Sequence, residues 1–301
     1  MSPLPLQRRT ALDAPAVTLL VGCCLMWGLG QVAAKVALGS IPPLLQAGLR
    51  SALSVLLLLA WSQARGVRLF ERDGSLAAGV LAGVLFAGEF ACIFLGLQHT
   101  SASRLTVFLY TAPFVVALGM PFVARGERLR PLQAVGLVVA FSGVALAYAE
   151  GFQRATAGPL QWLGDALGLA AAVLWGATTL VVRGSRLSSL APEKTLAWQL
   201  AVSAVLLAGA GALAGESWPA RLGALAAGAF AFQVVVISFG TFLVWFWLVR
   251  HYPATQVASF TLLTPIAGLA FGVILLGEPL TARLLGAAAS VAVGIWLVNR
   301  R

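Results

Sequence analysis

Charge is what this sequence has least of: Lys, Arg, Asp and Glu make up 10% of its 301 residues, against about 25% in an ordinary soluble domain. With 60% hydrophobic residues and a mean hydropathy of +0.93, the chain has too little polar surface to stay in water. Cysteine is also scarce. Cys23, Cys24 and Cys92 all fall in apolar runs, so no disulfide framework is expected and they read as small packing residues. There is no His-Glu-x-x-His run, no cluster of metal-ligating side chains and no pair of carboxylates within an apolar run. An intramembrane enzyme would lack its catalytic constellation, and no metal or other cofactor is expected. A nucleotide-binding loop and a soluble domain are missing too, the longest break between apolar runs being about residues 150–162, so direct drive by ATP is not expected.

Long apolar runs are what the sequence does have. A bilayer core of about 30 Å takes about 20 apolar residues per helix. Runs of that order lie near 15–38, 43–63, 75–97, 101–123, 131–149, 163–183, 192–214, 222–249, 254–276 and 280–298. They predict an all-α integral membrane fold of ten transmembrane helices. Arg8 and Arg9 precede the first run as in a signal peptide, but the run is too long for one and is expected to be retained.

The net charge of +10 raises the question of a nucleic-acid partner, and the placement of the charges answers it. Of 20 Lys and Arg, Lys35 and Arg50 lie inside runs, and Arg104, Arg154, Arg221 and Arg283 lie on one side; the rest lie on the side of the N-terminus. This asymmetry follows the positive-inside rule with both termini cytoplasmic. The partners expected are a lipid bilayer and a small-molecule substrate, with no nucleic acid.

An internal repeat divides the chain. At a constant offset of 152, Gly88, Phe90, Phe94, His99, Ala102, Phe108 and Pro113 meet Gly240, Phe242, Phe246, His251, Ala254, Phe260 and Pro265. Gly126-Glu127 meets Gly277-Glu278 one residue out of register, and Trp27-Gly28 meets Trp175-Gly176 at offset 148, with Lys35 matching Arg183. The halves are residues 1–150 and 151–301. Five helices per half is an odd number, so the second copy enters the membrane from the opposite side and the repeat is inverted. Inverted halves around a central site are a recurring plan for alternating access. Ten helices already hold both halves, so a monomer suffices.

The doubled motif, a mid-run Pro (Pro113, Pro265), a Gly-Glu at the membrane edge and a Gly-spaced fifth helix, together with the two Trp-Gly pairs, resembles the EamA-type ten-helix carriers of the drug/metabolite transporter superfamily. The likeness covers essentially the whole chain. It implies a bacterial inner-membrane carrier exporting amino acids or related metabolites, with a central cavity lined mainly by the first four helices of each half. Within the group the sequence is most similar to the bacterial aromatic amino acid exporters. A multidrug or other metabolite efflux carrier of the same fold is the alternative.

Glu89 stands near the middle of the third run, where a carboxylate costs about 3 kcal/mol to insert. Two readings stand: it faces the cavity, binding a substrate ammonium or exchanging a proton, or it forms a structural ion pair with Arg50 or Lys35. Its repeat partner is Thr241, so the charge is not duplicated. Lys35 and Arg50, in the outer third of the first two runs, either complete a zwitterion site with carboxylate toward the cation and ammonium toward Glu89 or reach out to the outer headgroups. Trp27 and Trp175 lie too deep for an interfacial belt and are expected to line an apolar pocket or to fill helix packing; Trp245 and Trp247 read as belt residues. Thr178, Gln233, Ser238, Thr241 and Thr264 are polar candidates for the second half of the cavity, although some are expected to bond their own helix. Pro113 and Pro265 are expected to kink their helices as hinges. His99 and His251 sit at opposite membrane faces, so they are not a metal pair. Glu127 and Glu278 read as helix caps or as partners of Arg128 and Arg283, and the Gly79/Gly83 and Gly136/Gly143 spacings as close-packing sites.

Overall fold

Proline at the first turn of a helix loses no intrahelical bond, because the N–H it lacks has no partner there. In the computed structural model, which describes residues 9–100, 102–124, 129–149, 159–276 and 282–300, four long helices begin this way. They are α1 (Ala14–Leu38), α2 (Pro43–Ala64), α6 (Pro131–Ala147) and α8 (Pro192–Leu213). Asp13 caps α1 by accepting from the Ala16 N–H at 3.0 Å. α2 and α8 both stop at a glycine with φ of +67° (Gly66) and +74° (Gly215), a left-handed conformation that side chains disfavour.

The other elements are α3 (Leu76–Leu97), α4 (Ala102–Leu109), α5 (Ala112–Val123) and α7 (Gln161–Gly184), then a 3₁₀ turn at Arg186–Ser189. After α8 come α9 (Ala224–Phe232), a π-helical segment (Gln233–Thr241), α10 (Phe242–His251), α11 (Ala254–Phe260), α12 (Leu263–Leu276) and α13 (Ala282–Asn299). Among the described residues, eight helices are long and apolar enough to cross a membrane; Pro131–Ala147 and Leu285–Asn299 are shorter apolar helices. Bulky apolar side chains such as Phe122, Val205 and Leu213 stand exposed on the outside, where only lipid gives them a suitable solvent.

Two expected kinks turn out to be breaks. The fourth run divides at Tyr110–Thr111 and the ninth at Thr261–Leu262, so Pro113 and Pro265 lie in the first turns of α5 and α12. A proline removes the bond to the carbonyl four residues back, and here the whole preceding turn gives way. Local donors meet the loosened backbone: the Thr111 hydroxyl donates to Phe108 O at 2.7 Å and the Cys24 thiol to Phe260 O at 3.1 Å. All three cysteines are free thiols. The π-helical segment was not foreseen, since no proline marks it.

Glycines set how closely helices approach. A Cβ on Gly136 of α6 would stand 2.7 Å from the Gly294 carbonyl of α13, and one on Gly48 of α2 2.6 Å from Ala208 N of α8. Gly211 lies against Leu45 N, so α2 and α8 run antiparallel. Gly79 and Gly83 seat α3 on Trp198 and Val202 of α8. These are backbone-to-backbone seams of the kind membrane helices form with small residues. Buried in the middle are Leu20, Phe86, Tyr110, Trp245, Phe246 and Leu262. Trp245 is therefore a core residue, not a belt residue: packed against Trp27 with 5% exposure, it faces inward on α10, whereas Trp247 is exposed and stacks near His251.

Short polar clamps tie the helix ends. At the face where α1 begins, Lys194 Nζ meets Asp73 Oδ2 at 2.5 Å and Glu71 O at 2.8 Å, and the Tyr252 hydroxyl donates to Asp13 at 2.8 Å. At the opposite face, Glu216 accepts from Leu44 N and Leu45 N at 3.3 and 2.6 Å, and Asp165 accepts from Thr100 at 2.7 Å and pairs with Arg104. Partial burial opposes the charge on Asp73, but Lys194 and the Ser75 donors outweigh it and draw its pKa from 3.8 to about 2. A depressed carboxylate pKa gives stability that is complete above the unfolded value and disappears as pH falls through the folded one. Asp73→Asn is therefore expected to lower the thermal midpoint at neutral pH by an amount equivalent to about 1 kcal/mol, given its partial exposure. Melting curves of both proteins in detergent should converge between pH 4 and pH 2; a difference that persists at pH 2 would contradict the ion-pair account.

Candidate functional site

The site grows from α1, the π-helical segment and α2. A π turn widens the helix and turns side chains away from their α-helical directions, and such turns recur at functional sites. Gln233, Ser238 and Thr241, all singled out in the sequence, sit on this one segment and are buried. Thr241 accepts from Trp27 Nε1 at 2.7 Å while donating to Ile237 O at 2.7 Å. Trp27, half-buried, also meets Phe242 and Trp245 edge-on at centroid distances of 6.1 and 5.4 Å. Ser238 Oγ is buried with no hydrogen-bond partner.

From Trp27 an aromatic path leads to the buried charges. Phe242 meets Phe86 at 5.6 Å, Phe86 meets Phe90 at 4.9 Å, and the Arg50 guanidinium lies over the Phe90 ring at 4.2 Å. That distance is well within cation–π range. Arg50 and Glu89 are each 7% exposed, and no ion pair joins them among the described residues. Arg50 Nε and Nη2 and Glu89 Oε2 are buried without a hydrogen-bond partner. Buried polar atoms are nearly always paired, and an unpaired charge in a membrane interior marks a functional site by default.

Next to this pair is an amide relay that sequence reasoning missed. Gln46 Nε2 donates to Gln233 Oε1 at 3.0 Å, and Gln233 Nε2 reaches Ala33 O of α1 at 3.4 Å. Ser54 Oγ donates to Val234 O at 3.0 Å. Gln46, Arg50 and Ser54 are spaced at i, i+4 and i+8, one face of α2, and all turn toward α1, α3 or the π segment. That spacing of three polar residues in an apolar run was the available signal. Gln31 and Tyr110 were missed too: Gln31 Nε2 lies 3.4 Å from the Tyr110 hydroxyl, and Tyr110 packs edge-on against Trp175 at 5.7 Å.

Of the remaining sequence-selected residues, Thr178 donates to Leu174 O at 2.9 Å and so bonds its own helix. Thr264 is buried beside Tyr110 and Cys24. The Lys35 side chain, Glu127, Arg128, Glu278 and Arg283's side chain lie outside the described residues. A narrow cleft among α7, α8 and α10, too tight to admit a water molecule, is lined by Arg183, Thr195, Phe246 and Arg250 among others; it contains none of the sequence-selected residues.

A buried arginine and glutamate, a chain of aromatic contacts and a polar α2 face inside an apolar helical bundle are features a membrane carrier for a small molecule can use. The chain belongs to the EamA-like transporter family, which it matches over residues 14–149 and again over 162–300. It is 31% identical to the uncharacterized transporter YvbV of Bacillus subtilis, over 100% of this chain and 94% of that protein. It is 27% identical to a probable amino-acid metabolite efflux pump of Salmonella typhimurium, over 90% of each chain. A protein of known crystal structure shares the fold with a TM-score of 0.80 at 19% identity, covering 95% of this chain and 96% of that one. The protein is thus a multi-pass membrane protein of a family of small-molecule transporters.

Proposed function

We propose that this transporter exports amino acids, aromatic and other neutral ones, across a bacterial inner membrane by alternating access, with Arg50 and Glu89 holding the two ends of the zwitterion. The observation that carries the reading is that an arginine and a glutamate, on neighbouring helices, are both buried with unpaired donor and acceptor atoms. A carboxylate satisfies the guanidinium and an ammonium satisfies Glu89, while Trp27, Phe90 and Phe242 offer faces to an aromatic side chain. The amino-acid efflux relatives support the substrate class.

Alternating access needs halves that exchange roles. The helix pairings support two inverted five-helix units, 1–150 and 151–301, of five spans each, and the Lys and Arg bias supports cytoplasmic termini. α3 packs on α7 as α10 packs on α1; α3 packs on α8 as the π segment packs on α2; α2–α8 and α6–α13 each map onto themselves. The family match falls twice, once in each half. The Asp13–Tyr252 and Asp165–Thr100 clamps are counterparts at offset 152 on opposite faces. Rocking would bend the chain at the breaks before Pro113 and Pro265. One monomer contains the whole site.

Counterflow of radiolabelled phenylalanine, tryptophan and threonine into proteoliposomes tests this reading, with intact protein beside Glu89→Gln. Saturable uptake that falls at least tenfold in the variant is expected. Uptake unchanged by the substitution would make Glu89 structural; no uptake of any amino acid would overturn the substrate class and turn the search to drugs or other metabolites.

A further inference from the structure

The polar face of α2 has a counterpart on α8. At offset 149, Gln46, Arg50 and Ser54 meet Thr195, Gln199 and Ser203, as Pro43 meets Pro192 and Gly66 meets Gly215. All six polar residues are buried, and Gln199 is 0% exposed. Gln199 Oε1 and Nε2 both lack a hydrogen-bond partner. Among described side chains it leaves both ends of an amide unpaired, as Arg50 and Glu89 leave a donor and an acceptor.

We propose that Gln199 is a second substrate-binding residue, the neutral counterpart of Arg50, which takes up the zwitterion in the half of the carrier that opens to the cytoplasm. The inference rests on the Arg50–Glu89 reading above. The exchange of halves that carries Arg50 to Gln199 carries Glu89 to Thr241 and Phe90 to Phe242. Thr241 and Phe242 both touch Trp27. An amide has a donor for the carboxylate and an acceptor for the ammonium, so Gln199 offers in one neutral group what Arg50 and Glu89 offer as two charges.

The packing register gives the two stations their depths. Gly48 against Ala208 and Leu45 against Gly211 place Arg50 opposite Leu206 and Gln199 opposite Leu57. The stations are then about 10 Å apart along the helix axes, seven residues at 1.5 Å each. Gln199 is on the side of the cleft that Thr195, one turn away, helps to line. Pseudo-symmetric halves with identical stations would bind substrate equally from both faces; a charged station on one side and an amide on the other do not. The carrier is expected to hold substrate more weakly from the cytoplasmic face, where export must begin at high internal concentration.

Phenylalanine counterflow in right-side-out and inverted membrane vesicles reads the two faces separately. In the intact protein, half-saturation is expected to be at least fivefold higher at the cytoplasmic face. Gln199→Arg should remove that difference, and Gln199→Leu should widen it at least fivefold. Equal half-saturation at the two faces of the intact protein, or a difference that neither variant changes, overturns the proposal. Arg50→Gln belongs in the same series, because unchanged affinity in that variant would sink the earlier reading instead. A measurement without substrate stands beside these: removing an unpaired buried amide is not destabilising, so Gln199→Leu should leave the thermal midpoint unchanged or raise it by about 2 °C. A fall of about 5 °C or more would make Gln199 a structural residue and overturn the proposal even if phenylalanine is not carried.

Discussion

Arg50→Leu and Glu89→Leu are each expected to destabilise the protein by about 3 kcal/mol and to reduce transport at least a hundredfold, while the double substitution recovers stability but no transport. The cause is the cost of a lone buried charge. Removing one partner of a buried pair costs about 3–5 kcal/mol because the other is left uncompensated, whereas replacing both with apolar groups is often neutral or stabilising. Here no direct ion pair joins the two among the described residues, and the Phe90 ring supplies part of what the guanidinium has lost in leaving water. The lower end of that range is therefore the expected value.

A double-mutant cycle on thermal midpoints in detergent, with counterflow on the same four proteins, separates the outcomes. Non-additive stability with no transport in the double variant is what a substrate site predicts. Additive losses would mean that Arg50 and Glu89 are independent residues, each satisfied by something else. A double variant that transports normally would place the substrate elsewhere in the bundle, and the unpaired atoms of Gln199 and Ser238 would be the next to test.

Apolar length and glycine spacing were legible in the sequence because they act locally. Every expected run holds a helix, the helix-starting prolines stand where they cost no bond, and Gly79, Gly83, Gly136 and Gly143 lie at close approaches. Trp27, Glu89 and Thr241 stand out in the sequence for a related reason, since a polar or bulky group deep in an apolar run is costly without a partner, and the structure pairs Trp27 with Thr241. What could not be read was partner identity. Trp245 seemed interfacial by its place near a run's end, but the direction it faces depends on α10 following a π segment, which has no local marker. Gln46 and Gln199 were passed over because a lone amide is less conspicuous than a charge. Their significance lies in the i, i+4, i+8 polar faces and in the antiparallel register of α2 on α8, a long-range fact.

The largest effect on folding is expected at the α6–α13 seam, where Gly136→Leu should prevent the protein from accumulating in the membrane as a folded species. A Cβ at Gly136 would meet the Gly294 carbonyl at 2.7 Å and Val298 N at 2.8 Å, and both are backbone atoms of a helix that cannot rotate away as a side chain can. Relief requires the helices to separate, which removes van der Waals contact along the whole seam, and in lipid that contact is the main force holding helices together. Gln133 would also lose its bond to Val298 O, now 3.2 Å long, and Ser290 its bond to Val139 O at 2.8 Å. The control is Gly22→Ala, since a Cβ at Gly22 in α1 meets nothing within 4 Å. There the only change is helix propensity, a gain of about 1 kcal/mol, so Gly22→Ala should express at least as well as the intact chain. Fluorescence-detected size-exclusion chromatography of tagged protein reads both variants. A monodisperse Gly136→Leu peak at normal intensity would show that α6 and α13 are not clamped as closely as their glycines allow.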